Sequence, residues 1–591
     1  MDIIVNANLL RHSYKILDRS SPITPFVDHV FSKPLCPTDV KINSSFERTI
    51  PEKKGIPSYV IRDFLYDVFK IKKLPLHGIT VIKDGSVICD VDASGYSSKI
   101  YHACHSLSKS VTATAIGMLI DEGKLSLNDK VVKILEKRIP GIYTLAYRNL
   151  TVKHLLTMTS GASFSELGIA VEKNWVNAYF GSRATFEAGK KFHYNSLNTY
   201  ILSVIVKEIS GKGLIEYLRP RLFDPLGIEL YHWELSPEGV EVGGWGLYLR
   251  REDAAKIGQL YLDNGVWNGK RIISESWVKR ATRAAVRTPK ETGDLDYGYH
   301  FWADKEGNRF LLNGMFCQDV YVIRDKRIVI ACNGAVEQLF QQSDYYGLID
   351  KYFISELSYP HYEIKLNSLI KEISSEKKDP FRFFKRLPKE ISSAVDVSFV
   401  AERTDKTAFK GAQKVGNCHS YGILPLYEQM LRNYYSGGIR TITLRKDSKN
   451  LYLDILEEDG NKRLPLVIDG MSCTVLKFGT TEYRASIHTK LSRDEYENPV
   501  IRIRIDFPEI SSSRYIKLYF KDGGLLVRMS EMPGMGLIRM FANEIENGIK
   551  KNKVISDMIS LLDADSVFLK LEKRLEPAFV LVPDRSEIIQ H

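Results

Sequence analysis

Apolar residues recur at helical spacing in some stretches of this chain and at every second position in others. Val60 to Phe69 predicts an amphipathic helix, with Ser58 placed to cap it. His77 to Ile82 and Val87 to Cys89 read as strands joined at the turn Lys83-Asp84-Gly85. Ser106 to about Glu122 is apolar on most faces and predicts a buried helix ended by Gly123. Shorter helical runs follow at Asn149–Leu156, Asn198–Ile209 (ended near Gly211) and Glu252–Leu262. Gly298–Trp302, Phe310–Leu312, Asp319–Ile323 and Arg327–Ala331 read as strands. Strands at both ends of a region with helices between them predict one antiparallel sheet beside a helical cluster.

From about Gly438 the rhythm becomes two-residue alternation. Ile439–Leu444, Leu451–Leu456, Tyr483–His488, Ile501–Phe507 and Tyr515–Phe520 show it, with turns at Asp459-Gly460 and Asp522-Gly523. An antiparallel sheet or small barrel is expected there. The expected organisation is an N-terminal extension over 1–55 that packs on the first domain, an α+β domain over 56–358 and a mixed-charge linker and packing segment over 359–437. An antiparallel β domain over 438–538 and a helical tail over 539–591 complete it.

A chain of 591 residues exceeds the roughly 250–300 at which a single core stops growing, so more than one domain is required. The formal charge of +11 forms no stripe along the sequence, which argues against a nucleic-acid partner. The seven cysteines are scattered, odd in number and without a Cys-x-x-Cys pair, as for reduced thiols. No run approaches 18 apolar residues, and the first residues lack a secretion signal. A cytoplasmic protein without a membrane span is the expectation.

Chemistry concentrates in three segments. Ser106 and Lys109 form a Ser-x-x-Lys turn leading into the buried helix, and three-residue spacing brings both side chains to one face. A serine hydroxyl needs a base to become a nucleophile, and a lysine in a dry pocket can lose its proton and serve as one. Tyr194, in Phe192-His193-Tyr194-Asn195-Ser196, could share that proton or hand it to a leaving group. Ser196 or Asn195 would orient the lysine. In Leu312-Asn313-Gly314-Met315, Gly314 permits close backbone approach, and the amides of Met315 and Ser106 would form an oxyanion hole. Trp245 and Tyr248, after two glycines, are candidates to line the cleft. Taken singly each has a plainer reading: helix cap, solvated lysine, packed aromatic, loop glycine. His102, Cys104 and His105 have metal-ligand chemistry but are too crowded for a tetrahedral site, so no metal or other cofactor is expected.

Taken together the segments resemble the serine beta-lactamase-related hydrolases: class C beta-lactamases, penicillin-binding DD-peptidases, and esterase and 6-aminohexanoate-dimer-hydrolase relatives. Ser106-Leu107-Ser108-Lys109-Ser110, Leu155-Leu156-Thr157-Met158-Thr159-Ser160-Gly161, Phe192-His193-Tyr194-Asn195-Ser196, Leu222-Phe223-Asp224-Pro225-Leu226-Gly227-Ile228 and Gly243-Gly244-Trp245-Gly246-Leu247-Tyr248 carry the likeness over about 55–350. It implies an α+β beta-lactamase/transpeptidase-like fold, an antiparallel sheet flanked by helices with a helical subdomain, here followed by the β-rich C-terminal domain. It implies Ser106 as acylated nucleophile, Lys109 as general base and Tyr194 as proton-transferring tyrosine. Two departures matter. Ser196 stands where lactamases carry asparagine, and Leu312 where they carry the cation that holds a substrate carboxylate. With Leu312 and Asn313 taken as substrate-side positions, the expected activity is hydrolysis of small esters or amides through an acyl-enzyme. Alternatives are a D-amino-acid-specific peptidase, a beta-lactamase or DD-peptidase, or an inactive binding or scaffold protein. The implied partner is a small-molecule or short-peptide substrate, and a homo-oligomer is compatible with the chain.

Overall fold

The structure is a computed structural model that describes residues 5, 7–9, 11–12, 15, 23–38, 46–164, 166–355, 362–375, 387–401, 421–447, 450–521, 523–534 and 576–584. It divides into two compact units, one of Met1–Leu9 with Cys36–Ser375 and one of Leu10–Leu35 with Glu376–His591.

The first unit is α+β. Its strands are β1 (Glu47–Arg48), β2 (Leu76–Lys83), β3 (Ser86–Asp92), β4 (Asp296–Tyr297), β5 (Trp302–Ala303), β6 (Arg309–Gly314), β7 (Gln318–Ile323) and β8 (Ile328–Gly334). They form one sheet in the order β1-β3-β2-β8-β7-β6-β5-β4, antiparallel except for β1 with β3. Early and late strands thus meet at the centre, where Val81 lies opposite Ile330. Both faces of these strands are covered, so they read as continuous apolar runs rather than strict alternation. On one face Ile79, Val81, Leu311 and Ile330 pack with Phe64 and Leu65 of helix α1 (Ser58–Tyr66). Ser58 does not cap that helix; Pro57 precedes it, and Glu52 accepts the Ser58 N–H at 2.8 Å.

Across the other face lies a helix over Arg251–Leu262, where a Cβ on Gly258 would stand 2.4 Å from Val320. Its Arg251 is fully buried and spans the β2–β3 hairpin, donating to Thr80, Asp90 and Asp92 at 2.7–2.8 Å. The helical cluster is built on Ser108–Asp121 and Leu197–Ser210, both buried along most of their length. Gly123 (φ +70°) and Gly211 (φ +69°) stop them in the left-handed conformation that glycine adopts without strain.

The second unit holds a ten-stranded sheet, antiparallel throughout. Its edge strands, Gly460–Leu466 and Gly470–Phe478, are consecutive in the chain, so the sheet curls nearly into a barrel. Alternation holds along one row of the central strands: Leu491, Ile501, Leu518 and Val527 point inward, and the next residues Lys490, Arg502, Lys517 and Arg528 are exposed. Ala578–Pro583, within the tail expected to be helical, is instead a strand of this sheet, pairing with Ser398–Ala401 and Gly524–Met532. The helix expected over Met540–Lys573 lies outside the described residues.

The N-terminal segment departs from expectation, since Leu10–Leu35 joins the second unit rather than the first. Phe31 donates its N–H to the Arg432 carbonyl at 3.0 Å, and Asn433 donates to the carbonyls of Val27 and His29 at 2.7 and 2.8 Å. Lys33 pairs with Glu509 at 3.0 Å, both side chains sealed from solvent. Nothing in the sequence near these residues marks such long-range partners.

Candidate active site

The site grows from a tied-down turn. The short strand His102–Ala103 pairs with Leu247–Leu249, and Cys104 donates its N–H to Leu247 O at 2.8 Å. His105 follows with φ +47°, a strained conformation for a non-glycine residue, and Ser106 stands on the 3-10 turn His105–Leu107 ahead of the Ser108–Asp121 helix. Ser108 braces this turn: its hydroxyl donates to His105 O at 2.6 Å and accepts the Leu247 N–H at 3.1 Å. Ser106 remains half-buried rather than sealed, within reach of a ligand.

Lys109 is buried one turn into the helix, 1% exposed. Its Nζ lies 2.7 Å from Ser106 Oγ, 2.8 Å from Ser196 Oγ and 2.7 Å from Gly244 O. The last contact depends on a glycine-rich turn wedged between helices, since a Cβ on Gly243 would stand 2.1 Å from Ser203 Oγ. Burial pushes the Lys109 ammonium down to about 7, against the nearby Glu166 charge, which pulls it up. A neutral amine has two N–H donors and one lone pair. The Gly244 carbonyl can only accept, and Ser196 offers a second acceptor, so the lone pair is left for the Ser106 hydroxyl.

Tyr194 stands over the same pair, with Lys109 Nζ 4.9 Å from its ring centre. Burial, reinforced by Glu166, pushes the phenol well above its ordinary value, although the nearby Ser106 hydroxyl opposes the shift. Near neutral pH the amine can therefore be deprotonated while the phenol keeps its proton. Trp302 stacks on Tyr194 at 6.2 Å, and Phe340 meets it edge-on at 5.3 Å. His300 is pushed well below the usual histidine range, first by burial and then by the Lys109 charge.

The end of β6 reaches the nucleophile turn. A Cβ on Gly314 would stand 2.3 Å from the Cys104 carbonyl oxygen. Asp319 fixes this strand end, accepting from Gly314 N at 3.2 Å, Asn313 Nδ2 at 2.8 Å and Tyr346 Oη at 2.7 Å. After the half-buried Met315 come Phe316 (φ +69°) and Cys317 (φ +63°), two consecutive strained residues. The Phe316 ring meets His105 edge-on at 5.4 Å.

The structure thus brings Ser106, Lys109, Tyr194 and Ser196 together and sets Gly314 and Met315 beside the same turn. Other expected residues lie elsewhere. Tyr248 is 1% exposed, and its hydroxyl donates to Glu234, because its strand turns the ring into the core beside Tyr101. Leu312 is fully buried in the sheet and has no surface for a substrate. Asn313, on the opposite face of β6, is engaged by Asp319 and Tyr346. Asn195 is also fully buried; its amide donates to Ala162 O and Phe164 O, fastening the loop that carries Glu166. Trp245 is half-buried against Trp175, next to the carbonyl that receives Lys109. Glu166 escaped the sequence reading: it accepts the Ser196 N–H at 2.7 Å, but no motif surrounds it. Among the described residues no cluster of three or more His, Cys, Asp or Glu could hold a metal.

Fold and geometry together define a serine-hydrolase-like protein. The beta-lactamase family model matches residues 78–342 of this chain. The 6-aminohexanoate-dimer hydrolase of Paenarthrobacter ureafaciens is 26% identical over 227 residues, covering 35% of this chain and 57% of that protein. Penicillin-binding protein 4* of Bacillus subtilis (strain 168) is 30% identical over 155 residues, covering 24% of this chain and 33% of that protein. The chain spans less than two thirds of the length of either. The solved structure of a penicillin binding protein from Bacillus halodurans aligns with 49% of this chain and 97% of its own, at 18% identity and a TM-score of 0.40. The cytoplasmic expectation does not stand. No described helix is long and apolar enough to cross a membrane, a property shared by proteins of every compartment.

Proposed function

We propose that the first unit hydrolyses small esters or amides through an acyl-enzyme on Ser106. The observation that carries this reading is the buried Lys109 amine, 2.7 Å from the Ser106 hydroxyl and held near its own neutral point. Ser106 Oγ attacks the acyl carbonyl while its proton passes to Lys109. The amides of Ser106 and Met315 receive the oxyanion. Tyr194 gives its phenolic proton to the leaving group and recovers one through Lys109. Water then repeats the sequence on the acyl-enzyme, releasing the acid and restoring the serine. Glu166 adds a negative charge beside Lys109, so substrates that need a carboxylate anchor, such as penicillins and D-Ala-ended peptides, are disfavoured. Amides of the type named for the Paenarthrobacter relative belong beside esters in the first substrate panel.

The test is turnover of p-nitrophenyl butyrate with a fluorophosphonate label. Ser106→Ala is expected to lose both turnover and labelling, and a variant labelled at the parent rate sinks the assignment. The pH profile gives a second check. Only the neutral amine can take the serine proton, so kcat/KM should climb as pH rises through about 7. Glu166 stabilises the charged lysine, so Glu166→Gln should move that climb to lower pH. Glutamine keeps an acceptor for the Ser196 N–H. An unmoved or upward-shifted limb in stopped-flow or steady-state assays counts against Lys109 as the base.

A further inference from the structure

The second unit carries a cation row that the linear sequence hides. In the paired strands Thr481–Arg493, Pro499–Asp506, Ser513–Lys521 and Gly524–Met532, Lys490 lies opposite Arg502, Arg502 opposite Lys517, and Lys517 opposite Arg528. Four cations therefore stand side by side on one outward face, across about 14 Å at ordinary strand spacing. Like charges directly opposite one another destabilise a sheet, so this row costs the fold something that inward packing does not require. Three of the four line a groove of about 280 Å³, together with Arg504, which sits one row along opposite Tyr515. Lys490, Arg502 and Lys517 are exposed, and Arg502 is aimed by its Nε–H donation to Ser492 Oγ at 2.8 Å. Behind them, the buried Asp506 is shared by His488 at 2.8 Å and Arg504 at 3.0 Å, a brace for the groove floor. Among the described residues, Asp469, at the Lys490 end, is the acid in the lining, beside Lys490, Arg502, Arg504 and Lys517.

We propose that this groove binds a small soluble molecule bearing a compact polyanion, a pyrophosphate or phosphate-ester group. The guanidinium fork of Arg502 matches phosphate oxygens in pairs, while Lys490 and Lys517 add point charges on either side and Arg504, held by Asp506 and His488, backs the groove. The size favours a small ligand, since the groove holds a group of a few heavy atoms rather than a length of polymer. Asp469 also places a negative charge where an extended polyanion would continue.

The experiment is isothermal titration of the full chain with sodium pyrophosphate at low ionic strength, in parallel with the Arg502→Ala/Lys517→Ala double variant. Both side chains are exposed, so the variant should keep the parent melting temperature, measured alongside. Saturable one-to-one binding that weakens at least tenfold in the double variant, and with added salt, is the expected result. Absence of saturable binding, or equal binding by the variant, overturns the site. A twenty-base oligonucleotide or phosphatidylserine vesicles binding through the same residues more tightly than pyrophosphate overturns the choice of a small ligand.

Discussion

Lys109→Met is expected to lower kcat for ester hydrolysis by about 10³–10⁴-fold, the range in which general-base and triad groups act. Methionine fills the same space but offers no lone pair to Ser106 Oγ, and the hydroxyl, still in place, loses its acceptor. KM should change little, because the amine sits behind the nucleophile, bonded to Ser196 and Gly244 rather than facing a ligand. Stability should hold or rise, since a buried amine is replaced by an apolar side chain of similar volume. The measurement pairs steady-state kinetics with thermal melting. A variant that retains a tenth of the parent kcat would show that another group takes the serine proton, and the mechanism above would fall.

Gly314→Ala should cost about 10²–10³-fold in kcat with a much smaller loss of stability. The added Cβ meets a backbone carbonyl, that of Cys104, at 2.3 Å, and no side-chain rotation can relieve such a contact. The strand end must back away from the nucleophile turn and carry the Met315 amide with it. Loss of one oxyanion donor costs about 3–4 kcal/mol of transition-state stabilisation. Overpacking at one methyl costs about 1–3 kcal/mol of folding stability. Ground-state binding should survive, so KM is the internal control. If kcat stays within threefold of the parent while the melting temperature falls, Met315 is not an oxyanion donor.

The parts of this protein legible in its sequence are those fixed by local pattern. The Ser108–Asp121 helix follows from an alanine-rich apolar run and a glycine stop, and Ser106 and Lys109 share a face because three-residue spacing requires it. The central strands of the first sheet announce themselves as apolar runs between turns. Glu166 was not legible, because its place depends on a loop held by the Asn195 amide, a contact 31 and 33 residues away in the chain. Leu312 and Asn313 were placed by resemblance, whereas the alternation of β6 sends one into the sheet interior and the other toward Tyr346. The cation row shows the same limit at larger scale. Each strand displays its own alternation, but which cation faces which depends on register, and register is settled by packing between strands. Gly470–Phe478 escaped notice because only Leu476 and Phe478 along it are buried.

The insertion of Leu10–Leu35 into the second unit bears on how the polypeptide is made. Lys33 leaves the ribosome 449 residues before Glu482, whose carbonyl it binds, and earlier still than its partner Glu509. That ammonium must wait, hydrated, through synthesis of the whole first unit. A gene split after Ser375 would therefore yield a second half that lacks Lys33, the 3.0 Å ion-pair partner of Glu509.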